Sequence, residues 1–460
     1  MTGEMRLSES VASSQAGVAV GETWMGWLGV LGVILIIIPK VNIIAVHGQN
    51  AGLRVDDFVI ATSWLLILWH VVNNGWRVLG SLGYLTFIAI SVVSVVVGRV
   101  FGWHGNILYP VRLIEYFTFL YYGYFFSRSH NVRSAMIAIV AVEGLVMVGQ
   151  AARLLGGFAV TGYVPYVGRV IGLTAGPWEI GYVLNLTYIA LLWDARIHRR
   201  NTAFLTIIIG ALLILTQSRA AEFSFLVVFL LYTFSVGNVV NIVQGAVVLG
   251  IVAAAAATWF YRDLVARNTH LLNVRNLTYA FVLYRDIQPP AHFAAWQFKD
   301  VPQIRGIDPS WLIRSTHWVI AFKDWVENPR LYLTGLGFGV FGPALDGGWL
   351  RLLVETGFLG LFAYARVLVN VAKKIPFGVY FAIATAINMV FIDMQLSYKG
   401  MALLLFLIGY YRGSAKFSAR RRDAEESNGS EEIVGGVSGE HSVTRDASPL
   451  LSQRLLEWKL

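Results

Sequence analysis

Cysteine is absent from the chain. That excludes disulfides, thiolate nucleophiles and cysteine-ligated metal sites. Charge is scarce as well: charged residues fill 14% of the 460 positions, while 56% are hydrophobic. Soluble domains carry about 25% charged residues, so this is not the composition of one. The apolar stretches do not alternate with a period of two, which excludes a membrane β-barrel. No tandem repeat recurs at a fixed period. The N-terminal "MTGEMRLSESVASSQAGVAVGETW" has no basic segment followed by an apolar core and a cleavage site, so it does not read as a signal peptide.

What the chain does hold is a series of nearly uncharged runs of 17 to 23 residues, each long enough to cross a bilayer as helix. The expected fold is an all-α polytopic membrane protein with about twelve transmembrane helices and a long extracytoplasmic loop. The spans are expected near 24–45, 56–74, 79–99, 107–126, 134–154, 173–193, 202–217, 220–237, 239–260, 349–371, 376–394 and 399–412. Basic connectors "SRSHNVR" (127–133), "DARIHRR" (194–200), "AKKIP" (372–376) and "RGSAKFSARRR" (412–422) then share one side, which the positive-inside rule makes the cytoplasm. Both termini are expected there: a segment at 1–23, and a Glu-, Ser- and Gly-rich tail at 413–460 that reads as disordered. The net charge of +9 sits in loops and tail. In a membrane protein it points to orientation and anionic lipid, not to nucleic acid.

The connector at 261–348 falls on the opposite, outer side. It carries Arg262, Arg267, Arg275, Arg285, Arg305, Arg314 and Arg330 against the usual charge bias. Within it, "RSTHWVIAFKDWVENP" (314–329) has helical apolar spacing and a proline stop. It reads as an amphipathic helix near the membrane surface.

Several residues carry chemical possibilities. Arg219 stands at the outer tip of a tight hairpin, "TQSRAAEF", with Glu222 three residues on. It is either a snorkelling tip residue or an anion ligand, since a guanidinium suits phosphate. Glu222 reads as its i,i+3 partner. Arg169 precedes a Gly/Pro-broken stretch leading to Glu179, which is either cavity lining or a Pro-initiated helix start. Gly335, Gly337 and Gly339 form a spaced turn, structural or ligand-touching, that lacks the setting of a nucleotide loop. Asp346 is either a general base or the N-terminal charge of the next helix. Glu355, deeper in that helix, reads as packing before catalysis. Arg112 and Glu115 read as a structural pair, Glu143 as a possible cavity residue, and His70 as a core histidine. His270, His292 and His317 share the outer loop without ligand spacing, so no metal is expected.

Three stretches in this order resemble the O-antigen polymerase and O-antigen ligase superfamily. They are "GLTAGPWEIGYVL" (172–184), "LTQSRAAEFSFLV" (215–227), and the run from Arg314 through "PRLYLTGLGFG" to "LLVETGFLGLF" (352–362). The resemblance covers roughly residues 50 to 412 and omits the tail. It implies a GT-C-like glycosyltransferase bundle in the bacterial plasma (inner) membrane, with the outer loop over its active site. It implies transfer of an oligosaccharide from an undecaprenyl-diphosphate carrier to a second lipid-linked repeat unit or to a lipid A core. No cofactor is implied. A chain-length regulator is a possible partner. By motif position Arg219 and Arg314 would grip the diphosphate; apart from the resemblance, Arg169 is a further candidate diphosphate ligand, and the transfer needs a base, for which Asp346 is the candidate carboxylate. Glu222, Glu355, His317, Gly335 and Gly337 would support the site. Ligases have a histidine before the last Glu-x-Gly span, whereas this chain reads "ALDGGWLRLLVETG", which favours a polymerase. A lipid-linked oligosaccharide transporter is the reading from a different class. Against it, no paired halves with corresponding broken spans occur.

Overall fold

A computed structural model describes residues 25–39, 42–44, 53–74, 83–158, 169–197, 202–236, 247, 250, 254, 274–286, 309–342 and 345–434. The chain divides into two compact units, Met1–Ser414 and Ala415–Leu460. All that follows on packing concerns the first.

That unit is built from helices. In chain order they are α1 (Met25–Ile37), α2 (Val55–Asn74), α3 (Tyr84–Val100), α4 (Leu108–Phe126), α5 (Val132–Ala151), α6 (Pro177–Ile197), α7 (Ala203–Thr216) and α8 (Arg219–Val236). Then come α9 (Val274–Asp286), α10 (Pro309–Val326), α11 (Gly348–Lys374), α12 (Gly378–Phe391) and α13 (Tyr398–Val434). Among the described residues the only β-structure is one antiparallel pair, β1 (Asn42–Ile44) with β2 (Leu53–Arg54). Eleven of the twelve expected spans contain a helix, though in the first, 24–45, the helix stops at Ile37 and Asn42–Ile44 is the strand β1. The remaining one, 239–260, lies outside the described residues except at 247, 250 and 254.

Among the described residues, three helices are long and apolar enough to cross a membrane: α2 over Val55–Val72, α5 and α11. α1, α3, α7 and α12 are apolar but shorter. The surface is far more apolar than a soluble protein's, and several polar side chains are buried within. Leu65, Trp69, Val72, Val96, Leu145, Phe204, Phe234 and Phe362 are exposed, while Ser91, Ser94, Asn185, Thr187, Glu143 and Arg351 are buried. Water would penalise such an apolar surface, and lipid does not.

Local chemistry sets the helix ends. Asn131 caps α5 by accepting the Arg133 N–H at 2.9 Å. Pro177 opens α6, where a missing N–H costs nothing. Gln217 takes a left-handed conformation, φ 50°, which stops α7 and lets α8 begin two residues later. α4 and α13 pack with their backbones close together: a Cβ on Gly123 would strike the Phe406 carbonyl, and one on Gly409 the Leu120 carbonyl.

The connectors separate by type. Arg133 pairs with Asp194 at 3.5 Å, Arg196 lies over the Phe377 ring, and Gly413 approaches Ser127, so the basic connectors gather at one end. The segments at 54–57, 169–176, 217–219, 345–347 and 393–399 lie at the other, joined by Arg54 over Tyr398, by Asp393 to the 345–347 turn, by Glu179 to Ala175, Ser397 and Lys399, and by Gly181 to Ser218. Arg112 and Glu115 do pair, at 2.7 Å, but inside a larger group: Arg112 also reaches Asp57 at 2.8 Å, and Arg54 reaches Glu115 at 3.0 Å. His70 is a core histidine, packed against the rings of Tyr124 and Phe125.

Two expectations need correction. The helix read at 314–329 has different bounds, Pro309–Val326. Its Ile320, Ala321 and Trp325 join Leu331, Leu336, Phe341, Leu345 and Val354 in one hydrophobic cluster. The connector at 261–348 also holds a second helix, α9, packed on α10. Polarity averaged over the connector hid both partners. The tail expected to be disordered from 413 is helical to Val434. Ala, Arg and Glu at 419–426 are good helix formers, which outweighs the low hydrophobicity there.

Candidate functional site

The site forms around a broken helix. α11 is interrupted at Gly357, where φ is 65° and ψ −169°. The glycine-spaced turn at 335–339 lies against this break. Leu336 and Gly337 donate backbone N–H groups to the carbonyls of Val354 and Glu355, at 2.8 and 3.1 Å. Beyond the break, Phe358 and Leu359 donate to Tyr332 and Leu333, at 2.9 and 3.1 Å. Groups that the break strips of helical partners are thus paired with the turn. Gly335 has φ 77°, and a Cβ there would meet the Glu355 backbone, so close backbone approach explains the glycine. Gly337, at φ 118°, packs against Gly105.

Below the turn lies a sealed charge cluster. Glu355 accepts the N–H groups of Gly339 and Phe341, at 3.0 and 3.2 Å, and Nε of Arg351 at 3.0 Å. Arg351 sends Nη1 to Asp393 Oδ2 at 2.9 Å and Nη2 to the Gly342 carbonyl. Arg351 and Glu355 are 0% exposed and Asp393 8%. Glu355 thus ties the glycine turn to α11 from a fully buried position. It orders the glycine turn from within.

Above this cluster stands the Asp346 turn. Asp393 accepts the N–H groups of Leu345, Asp346 and Gly347, at 2.8, 3.2 and 3.1 Å. Trp318 Nε1 donates to the carbonyls of Leu345 and Asp346, each at 3.1 Å. The Asp346 side chain meets Arg314 Nε at 3.5 Å, and the two side chains remain 34% and 27% exposed. Surrounding atoms still crowd the carboxyl, and that desolvation pushes its pKa up to about 6, with Asp393 adding to the rise and Arg314 and Arg351 opposing it. Next to the turn, an apolar cavity of about 330 Å³ is lined by Tyr284, Trp311, Trp318 and Phe322 among others.

The hairpin tip belongs to the same end of the unit. Gly181 on α6 packs against Ser218 and Ala221, and Asn185 donates to the Ala221 carbonyl at 2.9 Å. Val170 N–H reaches the Leu215 carbonyl at 3.2 Å. Glu222 feels the charge of both Arg219 and Arg169. The structure thus brings Arg169, Arg219 and Glu222 together, and separately brings Arg314 to Asp346. His317 is buried on α10. The Gly/Pro-broken stretch is held from α5: Gln150 and Glu143 accept the N–H groups of Ile171, Gly172 and Leu173, at 3.0, 2.9 and 2.8 Å. His270 and His292 lie outside the described residues.

Three residues that the sequence reading passed over organise this end. Arg351 and Asp393 are the first two. Lys399 is the third, pairing with Glu143 at 3.4 Å and donating to the Ile37 carbonyl at 2.9 Å. The segment from Asp393 to Lys399 serves several clusters at once. Its Leu396 carbonyl accepts the Tyr116 hydroxyl, its Ser397 hydroxyl and Lys399 N–H donate to Glu179, and Arg54 lies over its Tyr398 ring. The available signal was a pair of charges six residues apart, "DMQLSYK", between two apolar runs. No family model matches the chain, and no curated protein matches it.

Proposed function

We propose that this protein is an integral-membrane glycosyltransferase of the outer face of the bacterial plasma membrane, with both termini in the cytoplasm. It joins oligosaccharide repeat units carried on undecaprenyl diphosphate into a polysaccharide. The observation that carries this reading is the half-open pair of Arg314 on α10 with Asp346 on a hydrogen-bonded turn, at the end that also holds Arg169 and Arg219. A guanidinium and a carboxylate 3.5 Å apart supply the two groups that such a transfer needs.

The donor sugar is bonded through C1 to a diphosphate oxygen. The acceptor hydroxyl attacks C1, the C1–O bond to the diphosphate breaks, and the hydroxyl proton passes to a base. Asp346 is that base: with a pKa of about 6 it is ionised at neutral pH yet close enough to it to take a proton. Arg314, with Arg219 and Arg169, stabilises the departing diphosphate. When the diphosphate takes Arg314, Asp346 loses its counter-ion and becomes more basic. The apolar cavity beside Trp318 offers the carrier's isoprenoid chain a path next to the reacting atoms. Asp346, where ligases have histidine, favours a second lipid-linked unit as acceptor over lipid A core.

The test is reconstitution of purified protein with a lipid-diphosphate oligosaccharide. A ladder of products supports polymerisation. A single transferred unit indicates ligation, and movement across the bilayer without a covalent product indicates transport; either overturns the reading. Added chelator is expected to leave the rate unchanged.

A further inference from the structure

We infer that Asp393 is the positioning residue for Asp346: its carboxylate, opposed by the Trp318 indole, holds the turn that presents the Asp346 side chain to substrate. The inference rests on reading Asp346 as the base, and adds what keeps it in place.

Asp346 has φ 56°, in the left-handed region. Residues with a Cβ are uncommon there, and aspartate tolerates it only better than most. Something must hold it. Three consecutive N–H groups, from Leu345, Asp346 and Gly347, converge on the Asp393 carboxylate. Successive N–H groups aimed at one anion form a nest, here closed by a side chain of the same protein. On the other side, Trp318 Nε1 binds the carbonyls of Leu345 and Asp346. The peptide groups of the turn are therefore gripped on their donor and acceptor sides by residues from two distant segments. A simpler role for Asp393 is counter-ion to Arg351. That role accounts for Oδ2 alone, since Oδ1 is turned to Gly347. Arg351 then fixes Asp393 as Asp393 fixes the turn.

The charged groups facing Asp346 are Arg314 from α10, Arg351 from α11 and Asp393 after α12. Removing the Asp393 charge takes away a negative neighbour, which makes the Asp346 proton easier to lose. That shift reports the Asp393 charge close to Asp346, and exchange at 345–347 reports the clamp.

The experiment uses full-length protein in detergent or liposomes, with Asp393→Asn, Asp393→Glu and Trp318→Phe. Amide hydrogen exchange at 345–347 reads the turn directly. Turnover of a lipid-diphosphate oligosaccharide reads its consequence. For Asp393→Asn, exchange at 345–347 is expected to speed up. Its kcat is expected to fall about 100-fold, as for a base displaced by about an ångström, with KM nearly unchanged. The acid limb of its pH profile moves to lower pH. Asp393→Glu restores part of kcat. Trp318→Phe keeps an aromatic ring, though a smaller one, and loses the N–H, so kcat falls about tenfold with the acid limb in place. Wild-type exchange, kcat and acid limb in Asp393→Asn would overturn the inference while transfer itself stands. If that variant does not fold, unchanged exchange and kcat in Trp318→Phe overturn it. If wild-type protein transfers nothing, the proposed function falls, and exchange at 345–347 alone judges the clamp.

Discussion

Two arginine–carboxylate groups meet across one hydrogen bond, from the Asp346 N–H to Asp393 Oδ2, and the fold treats them in opposite ways. Arg351, Glu355 and Asp393 are closed off from solvent and nearly every lone pair has a donor. Arg314 and Asp346 make one long contact and keep open faces. The residue types are the same, so burial decides the role. A sealed pair costs several kcal/mol to break because its partner stays charged and dry, whereas an open pair adds about 0 to 1 kcal/mol and leaves its groups available to a ligand.

The comparison is broken most severely at its closed half. Arg351→Met leaves Glu355 and Asp393 uncompensated, so unfolding is expected to become easier by about 3–5 kcal/mol. Thermal or denaturant unfolding of the purified variant measures this. A midpoint equal to wild type would mean that the two groups do not differ as described.

At the open half the damage moves from stability to chemistry. Arg314→Ala is expected to change stability by no more than about 1 kcal/mol. Transfer should drop about 100- to 1,000-fold, the size of losing one preorganised donor to a departing anion. Arg219→Ala should behave alike. Normal turnover in either variant, with normal membrane insertion, removes that arginine from the diphosphate clamp.

Gly357→Ala tests the scaffold between the two halves. It places a Cβ at φ 65° against the Leu333 backbone, for an expected loss of about 1–3 kcal/mol in stability. Its effect on transfer should follow from the lost folded fraction, so activity per folded molecule is the quantity to measure.

The helices of this end were legible because each apolar run is a local property: length, lack of charge and stop signals place it within a few residues. The Arg112–Glu115 pair was legible for the same reason, being three residues apart on one helix. The open half was legible residue by residue, since Arg314 and Asp346 lie in a loop where charge stands out, but their pairing was not. The closed half was hidden. Arg351 and Asp393 are 42 positions apart, and Lys399 and Glu143 are 256 apart. Each member reads as an ordinary helix-end charge until its partner arrives. The glycine turn was ambiguous for a related reason: its partner is the backbone of a helix break, and an "ETG" in an apolar run does not announce one.

The smallest effect comes from pH, and it also separates the two halves. Burial, helped by Asp393 and opposed by Arg314 and Arg351, pushes the Asp346 pKa up to about 6, against about 4 in an unfolded chain. A base works only when ionised. Transfer per substrate, kcat/KM, is therefore expected to be level above pH 6 and to fall about tenfold per unit below it. Stability moves the other way. Between about pH 4 and 6 the native carboxyl holds a proton that the unfolded chain releases, so this group's contribution to stability decreases as pH rises through that window. Arg314→Ala removes a cation that favours the ionised carboxyl, and so should carry the acid limb of its residual activity above pH 6. An acid limb that stays put in Arg314→Ala would assign the titration to some group other than Asp346, and with it the role of base.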